Sequence, residues 1–316
     1  LRIIINVRKP RPITLSFCKS KNWQFSHYNI KLETIPMQTL STRLNRSLNS
    51  VFPMQKPLVC VTLRGRTVEE MCNDAPKAVE LGADIVEARL DLLWTTEEKT
   101  TMAEKNEDGE KAETAVIVNQ LELDAVDVND SIKNITSSIE APLLITCRPQ
   151  RQGGNYPGSE EDRISVLEAA IASKPSWIDL EVDIEPTKRK DLVKLVGNET
   201  RVIASMHSLE AVPSPSEITQ DVMDAQGLGD LVKACYSTND RKDALRIFES
   251  ALELKSSDAR YSLMGIGPGG DWSRIHAPAL GQELVFATTE SGWHLAQKGK
   301  INASDLRIAW QVLEYS

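Results

Sequence analysis

No apolar run in the chain is long enough to cross a bilayer as a helix, which takes about 18 residues. Even the opening Leu1-Arg-Ile-Ile-Ile-Asn-Val7 is broken by charge at once, so a membrane partner is not expected. Paired cysteines are also missing. Cys18, Cys60, Cys72, Cys147 and Cys235 are an odd number with no CxxC spacing, and Cys60, Cys147 and Cys235 sit inside apolar runs. They read as reduced thiols of a cytoplasmic compartment. Histidine is scarce as well: His27, His207, His276 and His294 form neither HxxxH nor HExxH, so no metal site is expected. Basic charge is scarce beyond the start. Residues 1–56 carry ten Lys/Arg against the single acid Glu33, and taking that +9 from the total of −8 leaves −17 for the rest. A body that acidic repels a phosphate backbone, which excludes nucleic acid as its partner.

The first 56 residues have no hydrophobic periodicity, are rich in Ser, Asn, Lys and Arg, and begin with Leu. They read as a disordered leader of one of two kinds. One is sequence translated upstream of a true start, with Met54 or Met37 as candidate starts. The other is a transit peptide, which would send the protein to an organelle or plastid.

From Leu58 onward short apolar runs alternate with longer amphipathic ones. Strand-like runs fall at 58–63, 84–89, 143–148, 177–182, 201–205, 231–235, 261–265 and 284–288. Helical spacing falls at 68–81, 162–172, 187–196, 215–225, 241–254 and 303–313. Strands alternating with helices of this length imply parallel βα units, and eight of them favour a (β/α)₈ TIM barrel over residues 57–316, with an open doubly wound sheet as the alternative. Residues 95–113 are charged and almost free of apolar side chains, which marks a solvated insertion.

In such a barrel the site lies at the carboxyl ends of the strands. The residue that stands out is Lys233, inside the apolar run Leu231-Val-Lys-Ala-Cys235. Desolvation lowers a lysine pKa and makes the amine nucleophilic toward a ketone. Strand five runs into Ser205-Met-His207, putting an imidazole just beyond its end and next to the strand of Lys233. Glu87 and Arg89, two apart, face one side of strand two and can pair with each other. Arg148 ends strand three before a loop containing Gly153-Gly154, and Arg274 follows the glycine-rich stretch after strand seven. A nucleophilic amine, a base of near-neutral pKa and cationic anchors suit imine chemistry on a small hydroxylated keto acid, with no cofactor required.

The ordered set Val86-Glu-Ala-Arg-Leu-Asp91, Thr146-Cys-Arg148 with Gly153-Gly154, Ser205-Met-His207, Leu231-Val-Lys233 and Met264-Gly through Gly270-Asp-Trp-Ser-Arg274 resembles the type I 3-dehydroquinate dehydratase family across residues 57–313. The resemblance implies a lyase of the shikimate pathway, converting 3-dehydroquinate to 3-dehydroshikimate by syn elimination of water through a lysine Schiff base. It implies that Lys233 forms the imine, that His207 moves the proton, that Glu87, Arg89 and Arg148 hold the hydroxyls and that Arg274 holds the carboxylate. Many members are homodimers, so a homodimer is the assembly to test.

Three positions depart from the family pattern. Gln152 stands where members commonly place a glutamate against the catalytic histidine. A neutral amide does not stabilise imidazolium by charge, which predicts a lowered pKa for His207. In the loop after strand eight, where the family often has Ser-Ala-Pro-Gly-Gln, Ala296 replaces the serine and Lys300 the glutamine, with Lys300 still able to reach a carboxylate. These changes keep a second reading open: another Schiff-base barrel lyase, aldolase-like, with an altered substrate. A noncatalytic ligand-binding barrel is a third, which has no need of both Lys233 and His207.

Overall fold

The computed structural model describes residues 56–106 and 109–315, together with the short segments Ile4–Ile5 and Ile13–Thr14. The chain divides into two units, Leu1–Pro53 and Met54–Ser316. In the first, Ile4–Ile5 pairs antiparallel with Ile13–Thr14, and the rest of the expected leader up to residue 55 lies outside the described residues.

The second unit is built on eight parallel strands: β1 Leu58–Leu63, β2 Ile85–Arg89, β3 Leu143–Thr146, β4 Trp177–Glu181, β5 Arg201–Ser208, β6 Leu231–Ser237, β7 Tyr261–Ile266 and β8 Leu284–Ala287. From β1 to β7 each pairs with the next in sequence, and β8 pairs with β1. The runs are mostly apolar because both faces are buried. Cys60, Ile85, Leu144, Trp177, Ile203, Leu231 and Leu284 pack together inside the barrel. Val59, Val61, Val86, Ile145, Ile178 and Val202 belong to the core beneath the helices.

The ring is complete but for one seam. Between β7 and β8 no ladder forms; Glu283 N–H donates to Tyr261 O (3.1 Å), and Leu263 N–H donates to the side-chain oxygen of Gln282 (2.8 Å). Gln282 is buried and its amide nitrogen donates to Ser273 O. One side chain therefore replaces a rung of the sheet.

The helices α1 Val68–Glu80, α2 Val128–Ser138, α3 Glu160–Ala172, α4 Pro186–Val196, α5 Pro215–Asp224 and α6 Arg241–Leu254 alternate with the strands. After β7 come α7 Gly270–Ile275 and α8 Ala277–Leu280, and after β8 come α9 His294–Gln297 and α10 Ala303–Val312. Capping boxes at Thr67/Glu70, Ser159/Asp162 and Ser214/Glu217 fix three of the starts, each satisfying amide groups that the first turn leaves open.

Two of the expected features take a different form. His207 lies within β5, which continues to Ser208 because Tyr236 of β6 gives that residue a partner. The insertion is an antiparallel hairpin, Thr95–Asn106 with Gly109–Gln120, in register from Thr95↔Gln120 to Asn106↔Gly109. Its root is tied down: Leu121 N–H and the Gln120 amide both donate to Trp94 O, and the Arg66 guanidinium donates to Thr95 and Glu97.

Candidate active site

Along six of the eight strands the inward residue two positions beyond the apolar layer is polar. Thr62 on β1, Glu87 on β2, Thr146 on β3, Asp179 on β4, Ser205 on β5 and Lys233 on β6 form a second, charged storey. Lys233 Nζ lies 3.3 Å from Asp179 Oδ2 and 3.5 Å from Glu87 Oε1, and 4.0 Å from the centre of the Phe286 ring. Thr62 and Thr146 donate to the two oxygens of Glu87 (2.5 and 2.9 Å), and Ser205 donates to Asp179. The floor is thus a buried amine whose carboxylate partners are themselves hydrogen-bonded.

These contacts overturn one sequence expectation. Burial does push Lys233 down, but the Glu87 and Asp179 carboxylates reverse it, and the pKa is raised. At about 3.4 Å and an effective dielectric near 20, one ion contact is worth about 5 kcal/mol, so two outweigh a desolvation cost of several kcal/mol. The ring face of Phe286 adds to the same preference. Lys233 rests as an ammonium. Glu87 is correspondingly held below its usual range: burial acts upward, and Lys233, Arg89 and the two threonines more than cancel it.

Glu87 and Arg89 do not pair as side-by-side neighbours. A 3₁₀ turn, Leu90–Trp94, begins directly after β2 and swings Asp91 back. Asp91 then takes Arg89 in a two-pronged bond (2.7 and 2.6 Å) and also accepts from the backbone amides of Arg148 and Asn155. Arg89 Nη1 has no protein partner among the described residues and Arg89 lines the cavity.

His207 is 8 % exposed, and its Nδ1 lies 3.1 Å from Gln152 Oε1. Gln152 reaches it because Gln150–Gln152 form one 3₁₀ turn ending at Gly153, whose φ of +76° suits glycine. The next residue must also be glycine, since a Cβ on Gly154 would sit 2.0 Å from Arg148 O. Burial first, then the charges of Lys233, Arg148 and Arg89, hold the His207 pKa well below 6.5. The direction is the one read from Gln152, with burial as its main cause.

Lys233, His207, Glu87, Arg89, Arg148, Arg274 and Lys300 all line one cavity of about 360 Å³. Arg148 Nε is buried without a hydrogen-bond partner, as is Nε of Arg66 in the same lining, and burial followed by Arg89 lowers the Arg148 pKa. Arg274 spends Nε on Phe286 O (3.0 Å) and Nη1 on Gly265 O (2.8 Å) and Gly270 O (2.6 Å). Lys300 is lowered by burial and then by Arg64, with Lys298 and Arg274 acting the same way. Eight cationic residues line this cavity against one carboxylate, Glu87, which makes it a receptor for an anion. A larger recess of about 840 Å³, between the β1–α1 loop, the hairpin root and α2, contains neither Lys233 nor His207. Size does not decide the site; chemistry does.

Sequence reasoning passed over Asp179 and quoted Asp91 only as the end of a motif, without a role. Asp179 carried a signal, an acid at an inward position of an apolar strand, the same signal that singled out Lys233.

The model of the type I 3-dehydroquinase family matches residues 59–316. The chain belongs to the type I 3-dehydroquinase family. A 3-dehydroquinate dehydratase of Methanocaldococcus jannaschii is 26 % identical over 260 residues, covering 81 % of this chain and 99 % of that one. The chloroplastic bifunctional 3-dehydroquinate dehydratase/shikimate dehydrogenase of Arabidopsis thaliana is 29 % identical over 237 residues, which is 74 % of this chain and 34 % of the longer relative. Among solved structures, the type I 3-dehydroquinate dehydratase of Clostridium difficile superposes with a TM-score of 0.66 at 21 % identity, over 83 % of this chain and 94 % of that one. Type I 3-dehydroquinases thus share this barrel.

Proposed function

We propose that the protein is a 3-dehydroquinate dehydratase of the shikimate pathway, eliminating water from 3-dehydroquinate to give 3-dehydroshikimate through a Schiff base on Lys233. The observation that carries this is a buried lysine at the floor of a cation-lined cavity, with a histidine lining the same cavity from the adjoining strand. Family membership supports the same substrate.

Lys233 rests protonated, so Nζ must shed a proton before attack, and Asp179 and Glu87 are the acceptors in reach. The free amine adds to the C3 ketone and water leaves, forming a protonated imine that acts as an electron sink. His207, neutral because its pKa is low, takes the C2 proton. The electron pair moves into an enamine, then returns to expel the C1 hydroxyl, which departs as water with the proton that His207 held. Hydrolysis of the imine consumes one water, releases the enone and restores Lys233. The net change is the loss of one water from the substrate.

Arg148, with a donor and no protein partner, and Arg89 Nη1 serve the ring hydroxyls together with Glu87. Arg274 Nη2 and Lys300 serve the carboxylate. Borohydride reduction in the presence of 3-dehydroquinate should leave a mass adduct on Lys233, and enone absorbance should grow in its absence. Substantial turnover by Lys233→Ala overturns the imine.

A further inference from the structure

The hairpin that follows β2 is an insertion into the barrel, yet at its root both of its strands hold the rim of the cavity. On the first strand Thr95 and Glu97 accept from the guanidinium of Arg66. On the second the Gln120 amide donates to Trp94 O (2.7 Å) and to Asn155 O (3.0 Å). Arg66 belongs to the β1–α1 loop and Asn155 to the β3–α3 loop, and both line the cavity that holds Lys233 and His207. The hairpin therefore grips one lining residue on each side of β2.

Arg66 is fixed at both ends. Its backbone amide donates to Glu70 Oε2 (2.7 Å), inside the capping box that starts α1. Its acceptor Thr95 is buried and donates in turn to Leu92 O (2.6 Å), so the hold on the guanidinium does not wander. The hairpin takes one N–H from each terminal nitrogen of Arg66, and Nε has no partner. Glu97 already supplies a carboxylate, so the remaining donors suit a neutral hydroxyl better than a second carboxylate. Asn155 offers the complementary group. Its backbone N–H donates to Asp91 Oδ2 (2.9 Å) and its Nδ2 leans on the same oxygen (3.4 Å). Its side-chain oxygen is left as an acceptor without a protein partner among the described residues.

We infer that Arg66 and Asn155 are specificity-determining residues for substrate hydroxyls, one as donor and one as acceptor, and that the hairpin is the brace that keeps both in place. The inference rests on the proposed dehydratase reading, whose substrate keeps hydroxyls at C4 and C5 when the C1 hydroxyl leaves. Ordering a long side chain at the moment of binding weakens affinity, and a brace already made removes that cost. The charged insertion thereby acquires a role in the site: its root strands set where two of the lining groups stand.

The test compares wild type with Arg66→Met, Asn155→Ala, the root variant Thr95→Val/Glu97→Ala and that root variant combined with Arg66→Met. The enone assay reads kcat and KM for 3-dehydroquinate and for its 4-deoxy and 5-deoxy analogues. Calorimetric titration with quinate, which shares the carboxylate and hydroxyls but has no ketone, reads binding without turnover. Arg66→Met should raise KM for 3-dehydroquinate and Kd for quinate by about ten- to a hundredfold at nearly unchanged kcat, the worth of one hydrogen bond from a charged group. With one of the two deoxy analogues that difference disappears, because the hydroxyl it served is gone. Asn155→Ala should raise both constants by about three- to tenfold. The root variant raises KM by less than Arg66→Met and adds nothing to it, since it acts through the same side chain. Arg66→Lys keeps the charge and the stem, and it carries the same comparison if Arg66→Met does not fold. An unchanged KM, or an equal loss with both analogues, overturns the specificity role. Effects of the root variant and Arg66→Met that multiply overturn the brace. A wild type that turns over no 3-dehydroquinate while Arg66→Met still weakens quinate overturns the dehydratase reading and leaves the role of the rim standing.

Discussion

The floor and the mouth of the cavity treat charge in opposite ways. On the floor each charge is answered: Lys233 by Glu87 and Asp179, those two by Thr62, Thr146 and Ser205. At the mouth Arg148 leaves a buried donor unanswered, and Lys300 is pressed by the cations around it. Answered charges hold a group in a fixed state and direction until chemistry begins. Unanswered ones are a standing cost in the empty protein that a bound anion or hydroxyl relieves.

The sharpest way to break this contrast is to remove the charge at the centre of the floor. Lys233→Met should abolish turnover and, by leaving two buried carboxylates without a cation, cost about 3–5 kcal/mol of stability at neutral pH. The pH dependence has a definite sign. In the wild type the depressed Glu87 contributes stability above the ordinary value of 4.5, which is lost as pH falls through its lowered pKa. In the variant the buried Glu87 carboxylate, without its cation, gains from protonation, so the deficit should shrink as pH falls, as urea titrations at several pH values will reveal.

Arg148→Met tests the mouth. It should raise KM by about ten- to a hundredfold, the worth of one charge-assisted hydrogen bond, while Tm holds or rises because a buried unpaired cation is gone. A fall in Tm with KM unchanged would make Arg148 a structural residue and erase the contrast. Lys300→Gln is the gentlest probe: KM should rise by about two- to fivefold at pH 7. Because burial and Arg64 lower the Lys300 pKa, wild-type affinity for the carboxylate should decline as pH rises through a value below 10.5, and that limb should vanish in the variant.

The barrel was legible because strands buried on both faces write themselves as apolar runs, and Lys233 was legible because it interrupts one. Its rest state was not. Glu87 and Asp179 come from two other strands, and no local pattern says that two carboxylates converge on one amine. Alternation paired Glu87 with Arg89, but the turn after β2 hands Arg89 to Asp91. The Asn- and Ser-rich segment Val128–Ser138 gave too thin an apolar stripe to be read as α2, although Ile132 and Ile135 are buried by it.

Gln282 carries a lesson of a different kind. Between β7 and β8 the sheet's two ends meet through one backbone bond and this one amide. Whether eight strands make a ring or a ribbon is here written outside the strands, in a single letter that no count of runs detects. Replacing that letter would leave every strand's own pattern untouched and take away a clasp beside the cavity wall formed by Met264, Arg274 and Phe286.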